Sequence, residues 1–355
     1  MTIAATTSNG AKARPALWRR FWNSPWPVLG CEISAAGVSA ARWSWNTASF
    51  EAAAWKPLPA GALEASPLRE NIREPEPVRE ALGAALAAIG ISSGPDSCRH
   101  PADAVLVIPD QAARLFVFSL DTFPKRDSDA LSLVQFRLKK SVPFDIESAA
   151  VSYQAARRGN QWEVTAVAAP QPVVRQYEAL LESFGLRPRC VVLSTVATLG
   201  LVPGAQESRA AASPASAELP GVLVAKYSPP WFTTAILQGG QVRLFRTVGL
   251  PPGPATGPAT GPEGSLAAET VLEALYPSMV FFQDNFGGKL ERAWLCGLGD
   301  TRPLVAELLG RQLPVDAVPL SANGTLGAAA PDPLRRELYF SALLGVVQEH
   351  SRAGV

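Results

Sequence analysis

Between Ala104 and Phe184 the hydrophobic pattern changes period repeatedly, and no other stretch restricts the fold of this chain as tightly. Apolar runs at Ala104–Ile108, Leu115–Leu120, Val151–Ala155 and Val164–Ala168 alternate or continue in the manner of strands. Residues 127–140 and 172–184 instead carry apolar side chains at three- and four-residue spacing, which is the period of helices. The order reads as a small β-α-β-β-α unit, with Ala104–Ile108 as the strand leading in and Pro109 as the crossing point. An α/β protein follows from that pattern.

The rest of the chain is long enough to build the body around it. With 355 residues, 47% of them hydrophobic, two or three domains are expected. The 32 basic and 31 acidic residues balance, which removes the electrostatic case for a nucleic-acid partner. Cys31, Cys98, Cys190 and Cys296 are widely spaced, and three of them lie in strand-like runs, so they read as buried reduced thiols and not as metal ligands. His100 and His350 are the only histidines, too few for a His-based metal site or a Ser/His/Asp triad. No apolar run approaches the ~20 residues that cross a bilayer and there is no signal-peptide core, so the chain reads as cytoplasmic.

Ahead of the inserted unit, Val28–Ile33 and Val38–Trp45 read as strands joined by the turn Ser34-Ala35-Ala36-Gly37, with a third strand near Phe50–Trp55 and a helix over Pro77–Ile89. After it come a strand at Arg189–Leu193 and a short helix capped by Ser194. Gly221–Tyr227, Trp231–Leu237 and Gln241–Val248 form an antiparallel meander bounded by two low-complexity stretches, Pro203–Leu219 and Gly249–Ser265. A helix over Leu266–Phe282 follows, bent at Pro277. Then come a strand at Arg292–Cys296, the turn Gly297-Leu298-Gly299-Asp300, a helix over Pro303–Leu313 and a closing helix over Leu334–Val347. In residues 1–30, Lys12, Arg14, Arg19 and Arg20 alternate with Trp18, Phe21, Trp22 and Trp26, a composition suited to a membrane interface, to docking on the protein's own body or to a partner.

The sequence VLVIPDQAARLFVFSL, a helix ending at Lys140, then Val142-Pro143-Phe144-Asp145, Val151-Ser152-Tyr153 and VTAVAAPQPVVRQYEALLESFGLRP resemble, in content and order, the inserted subdomain of the PilM family of type IV pilus assembly proteins. The resemblance implies an actin-like (ribonuclease H-like) two-lobed fold with a reduced upper subdomain in the second lobe. It divides the chain into an N-terminal arm (1–26), the first part of the first lobe (27–108), the inserted subdomain (109–187), the first-lobe return (188–202), a linker (203–219), the second lobe (220–330) and a C-terminal helix packing on the first lobe (331–355).

It also implies a partner and a nucleotide cleft. The partner is the cytoplasmic N-terminal peptide of a PilN-like inner-membrane protein, held between the first lobe and the inserted subdomain. The cleft, if kept for ATP and magnesium, falls on Glu32, Ser34, Ala35, Ala36 and Gly37 in the first hairpin and on Gly297 and Gly299 in the later turn. Against the family pattern, Ser34 stands for a glycine, Ser39 for a lysine, Ala225 for an aspartate and Tyr227 for a glycine, so the site is expected to be degenerate, with no catalytic residue and no metal. The alternatives are an active actin-like ATP-binding protein and a module related to the type II secretion platform protein.

Overall fold

The computed structural model describes residues 26–91, 102–203, 220–250, 266–312, 315–320 and 333–353. Most of the N-terminal arm, Cys98, His100, nearly all of the 203–219 linker and the GPATGPATGP run lie outside the described residues. The chain divides into two compact units, Met1–Ser194 and Thr195–Val355.

The first unit holds β1 (Leu29–Ile33), β2 (Gly37–Ser44), β3 (Ser49–Pro57), α1 (Pro75–Ala88), β4 (Ala102–Ile108), β5 (Arg114–Leu120), α2 (Asp127–Leu138), β6 (Ala149–Arg158), β7 (Gln161–Pro170), α3 (Gln171–Glu182) and β8 (Leu186–Leu193). Its main sheet runs β3-β2-β1-β4-β8. β1, β2 and β3 pair antiparallel, whereas β1–β4 and β4–β8 are parallel. Val105 to Ile108 are all fully buried, the continuous apolar run expected of a parallel strand covered on both faces. α1 begins at Pro75, two residues ahead of the sequence expectation, because proline is suited to the first helical turn. It packs on β2 and β3 through Val78, Ala81, Leu82, Ala85 and Leu86.

The inserted subdomain is a separate antiparallel sheet in the order β5-β7-β6. Phe116 pairs with Ala166 and Phe118 with Val164 across β5–β7, while Val151 and Tyr153 sit opposite Ala168 and Ala166 across β6–β7. These side chains share one face, and α2 closes it with Val134 and Leu138. Val142 and Phe144 pack against the same core, which is why the Val-Pro-Phe-Asp turn follows α2 directly. α3, expected as the subdomain's second helix, is anchored to the lobe instead. Gln176 accepts from the amides of Asn71 and Ile72 and donates to the Ile72 carbonyl, and Tyr177 Oη donates to Asn71 Oδ1.

A one-turn helix, α4 (Ser194–Thr198), carries the chain into the second unit. There follow β9 (Gly221–Ser228), β10 (Trp231–Gln238), β11 (Gln241–Gly249), α5 (Ala268–Phe286), β12 (Leu290–Cys296), α6 (Arg302–Gln312), β13 (Asp316–Pro319) and α7 (Pro333–Ala353). The sheet order β11-β10-β9-β12-β13 repeats that of the first unit, antiparallel on one side of β9 and parallel on the other. Leu223, Ala225 and Tyr227 point to the face covered by α5 and α6, into a core with Val271, Leu275, Phe282 and Val305. α5 runs through Pro277 and ends on Gly287, whose φ of 61° is the left-handed cap that glycine accepts without strain.

Residues 195–202, expected in the first-lobe return, group with the second unit, and the closing helix packs against them. The reason is a pair of glycines at the crossing. A Cβ on Gly345 would lie 2.0 Å from the Ala197 carbonyl oxygen, and one on Gly200 would lie 2.2 Å from the Gly345 carbonyl oxygen. Backbones that close require glycine on both sides.

Candidate functional site

The first hairpin turn is built by Ser34 and Gly37. Their main chains exchange hydrogen bonds at 2.9 and 3.3 Å, and Ser34 Oγ donates to the Gly37 carbonyl at 2.9 Å while accepting from the Gly37 amide at 3.3 Å. Gly37 is required by space, since a Cβ there would lie 2.4 Å from the Lys56 carbonyl and 2.5 Å from the Trp55 indole nitrogen. Ala35 and Ala36 form the half-exposed tip, and their amides make no hydrogen bond among the described residues. They are the only donors the turn presents to an anion.

Glu32 and Ser39 stand opposite each other across β1–β2, and both are buried. Ser194 Oγ donates to Glu32 Oε1 at 2.5 Å, which ties the acid of the first hairpin to the start of α4. Burial pushes the neighbouring Cys31 thiol up to about 12, and Cys31, Cys190 and Cys296 are all buried and in no disulfide among the described residues.

In the second unit, Ala225 and Tyr227 face the core. Tyr227 Oη donates to the Leu250 carbonyl at 3.1 Å, and burial pushes the phenol up to about 12. Its ring therefore fills the core. The turn between β9 and β10 is Pro229-Pro230, flanked by the pair Ser228 and Trp231. Neither proline has an amide N–H, so the tip of this hairpin can give no hydrogen bond to phosphate.

The Gly297–Gly299 turn has positive φ at both glycines, 73° and 51°. Gly297 also passes so close to β9 that a Cβ would lie 2.2 Å from the Tyr227 carbonyl. Its amide donates to Glu337 Oε1 at 2.9 Å, and Arg302 pairs with the other carboxylate oxygen. Burial raises the Glu337 carboxyl, and the Arg302 guanidinium and the Gly297 amide oppose that rise. The turn's donor is thus already engaged by a carboxylate of the chain itself.

Around the inserted subdomain, the crossings are Pro109–Ala113 on the way in and α3 on the way out. Asn71 is fully buried and holds the loop before α1 together, donating to the Ser66 and Arg69 carbonyls at 2.7 Å each and accepting from Tyr177 and from the Ser66 amide. Among the described residues β5 pairs only with β7, and no strand pairs with its other edge.

No protein-family model matches the chain, and no curated protein matches its sequence. Among solved structures, the chain is similar to the PilM-PilN type IV pilus biogenesis complex, with a TM-score of 0.63 and 19% identity over 90% of this chain and 97% of that one. The fold is PilM-like and actin-like. The cytoplasmic domain of EpsL, an inner-membrane component of the Vibrio cholerae type II secretion system, has a TM-score of 0.45 at 12% identity, covering 91% of this chain and 93% of its own. A Bacteroides thetaiotaomicron protein with an actin-like ATPase fold has a TM-score of 0.45 at 11% identity, covering 89% and 94%.

Within the PilM-like fold, the structure adds residues that the sequence reading passed over. Pro229 and Pro230 were visible as a Pro-Pro turn between two strands. Lys226 is only 2% exposed on the opposite face of β9 from Ala225, with Nζ 2.9 Å from Thr198 Oγ1. A lysine inside the run Leu-Val-Ala-Lys-Tyr was the signal, since lysine is almost never fully buried without a partner. Glu337 gave no local signal, because its role depends on a turn forty residues earlier in the chain. Among the described residues no group of His, Cys, Asp or Glu is arranged to hold a metal ion, and no helix is long and apolar enough to cross a membrane.

Proposed function

We propose that this chain is a scaffold of a type IV pilus inner-membrane assembly platform, and that it holds the cytoplasmic N-terminal peptide of a PilN-like membrane protein. The observation that carries this reading is the inserted β5-β7-β6 subdomain, set within a fold similar over 90% of the chain to the PilM-PilN complex. The open edge of β5 supplies unpaired main-chain groups, to which an extended peptide adds as a further strand. The peptide lies between the first lobe and the subdomain, and binding places the chain at the cytoplasmic face of the inner membrane through its partner.

Nucleotide chemistry is absent from this role. Support comes from three turns: Ser34 and Gly37 are bonded to each other, Pro229-Pro230 has no amide hydrogens, and the Gly297 amide is engaged by Glu337. A site that must stabilise phosphate charge with preorganised donors has few of them left.

The test is calorimetric titration of the full chain with a synthetic N-terminal peptide of a PilN-like protein. Saturable binding is expected, and it is lost when residues 114–168 are deleted and the remaining chain still melts cooperatively. No heat at high micromolar peptide would sink the proposal.

A further inference from the structure

Helix α5 has an outer face that the core of its own unit does not use. Val271, Leu272, Leu275, Met279 and Phe282 form its buried stripe. On the opposite side Glu269, Glu273, Tyr276 and Asp284 recur at helical spacing, so they share one stripe about 22 Å long, with Phe281 at its flank. Tyr276 is 61% exposed and Phe281 46%. Phe281 meets Phe286 edge-on with centroids 6.3 Å apart, and Phe286 stacks on the buried Phe282 at 5.7 Å, so the outer ring is propped at the surface by the core.

The charge on this face is of one sign. α5 carries Glu269, Glu273 and Asp284 and no basic residue; all three acids are exposed, and none makes an ion pair among the described residues. Glu269 suits the positive end of the helix dipole, whereas Asp284 stands in the last turn, where the dipole opposes an acid. Pro277 has no N–H, so the Glu273 carbonyl receives no helix hydrogen bond from it. Glu273 therefore offers a carboxylate and a main-chain acceptor. Acids and a spare carbonyl beside aromatic rings match arginine, whose planar guanidinium brings five donors and stacks on aromatic faces. The same acids repel nucleic acid and an anionic membrane.

We propose that this stripe docks an arginine-rich amphipathic helix of a partner protein, about four turns long. Its apolar face covers Tyr276 and Phe281, and its arginines meet Glu269, Glu273 and Asp284. The surface lies in the second unit, whereas the edge of β5 lies in the first, so this contact stands independently of the peptide reading.

Fluorescence anisotropy of a labelled synthetic peptide against the full chain tests this. The probe is an amphipathic helix of about 16 residues with arginines flanking a leucine face. Saturable one-to-one binding is expected at low salt, weakening as salt rises. The same residues in scrambled order should bind about 10-fold more weakly or worse, and lysine in place of the arginines should also weaken binding. Glu273→Lys with Asp284→Lys should lower affinity about 100-fold. Tyr276→Ser with Phe281→Ser should lower it about 10-fold and leave the salt dependence in place. Circular dichroism and thermal melting of the charge-reversal variant should match wild type, since both positions are exposed. The proposal is overturned if wild type shows no saturable binding at high micromolar peptide, if the scrambled peptide binds equally well, or if the charge-reversal variant binds like wild type. A wild-type sedimentation coefficient that falls on charge reversal would assign the stripe to a second copy and overturn it too.

Discussion

The two units open with the same device and use it differently. Each sheet starts from a meander in which the first strand also pairs in parallel with a later one, and each meander begins with a two-residue hairpin turn. In the first unit the tip is Ala35-Ala36, with two amides directed away from the sheet's own bonding. In the second it is Pro229-Pro230, and the strand before it sends Ala225 and Tyr227 into the core. Strand pairing runs along eight or nine residues of each strand, with β9 and β10 buried almost throughout, so it persists when the turn between the strands loses its donors. One hairpin still has donors at its tip, while the other has become structural.

The strongest way to break this comparison is to rebuild the absent acid. Ala225→Asp would place a carboxylate among Leu223, Tyr227, Leu275 and Phe282, and an unpaired buried charge costs about 3–5 kcal/mol. Its counterpart in the first unit, Ser34→Gly, removes only a local turn contact and should cost about 1 kcal/mol. Urea denaturation of both variants measures the difference, and neither should gain magnesium-dependent ATP binding. An Ala225→Asp protein as stable as wild type that binds ATP would show the second hairpin to be a site after all.

A smaller effect separates two glycines of one turn. Gly297→Ala meets both a positive φ and the Tyr227 carbonyl, whereas Gly299→Ala meets the positive φ with nothing within 4 Å of its Cβ. The second should cost about 1–2 kcal/mol and the first clearly more. Equal losses would mean that β9 can move away from the turn.

The smallest effect is in pH. Glu337 has its folded carboxyl raised above the ordinary 4.5 by burial, so its protonated form is favoured by folding. Stability from this group is fully present below 4.5 and is lost as pH rises through the raised folded value. Glu337→Gln removes that dependence. The gap between wild type and variant in urea midpoint should therefore shift against wild type as pH climbs from 4 toward neutrality, about one proton's worth in slope at most. A gap independent of pH would remove the buried carboxyl as its cause.

Much of the fold was legible because period carries it. The strands Leu115–Leu120, Val151–Ala155 and Val164–Ala168 and both helices of the inserted region were readable from spacing; the structure extends the strands by a few residues and ends the helices earlier, at Leu138 and Glu182. β13 was missed since Asp316–Pro319 is too short to show a period, and it exists because β12 offers a parallel edge. What α7 packs against was not legible, because helical spacing shows which face is buried and not what covers it. The Gly200 and Gly345 crossing that decides it joins residues far apart in sequence. In the candidate loops, substitutions against the family pattern were visible at Ser34, Ser39, Ala225 and Tyr227. Side-chain direction was not, and the core placement of the Tyr227 ring shows only in the structure.

That glycine crossing also sets an order of assembly during synthesis. Everything in the first unit is contiguous and precedes Thr195, so it can finish folding while the remainder is still being translated. The stretch after Thr195 must wait for Gly345, far along the chain, before Ala197 and Gly200 find the backbone they fit. A ribosome that stops before α7 releases a chain with one finished half and one half that cannot close.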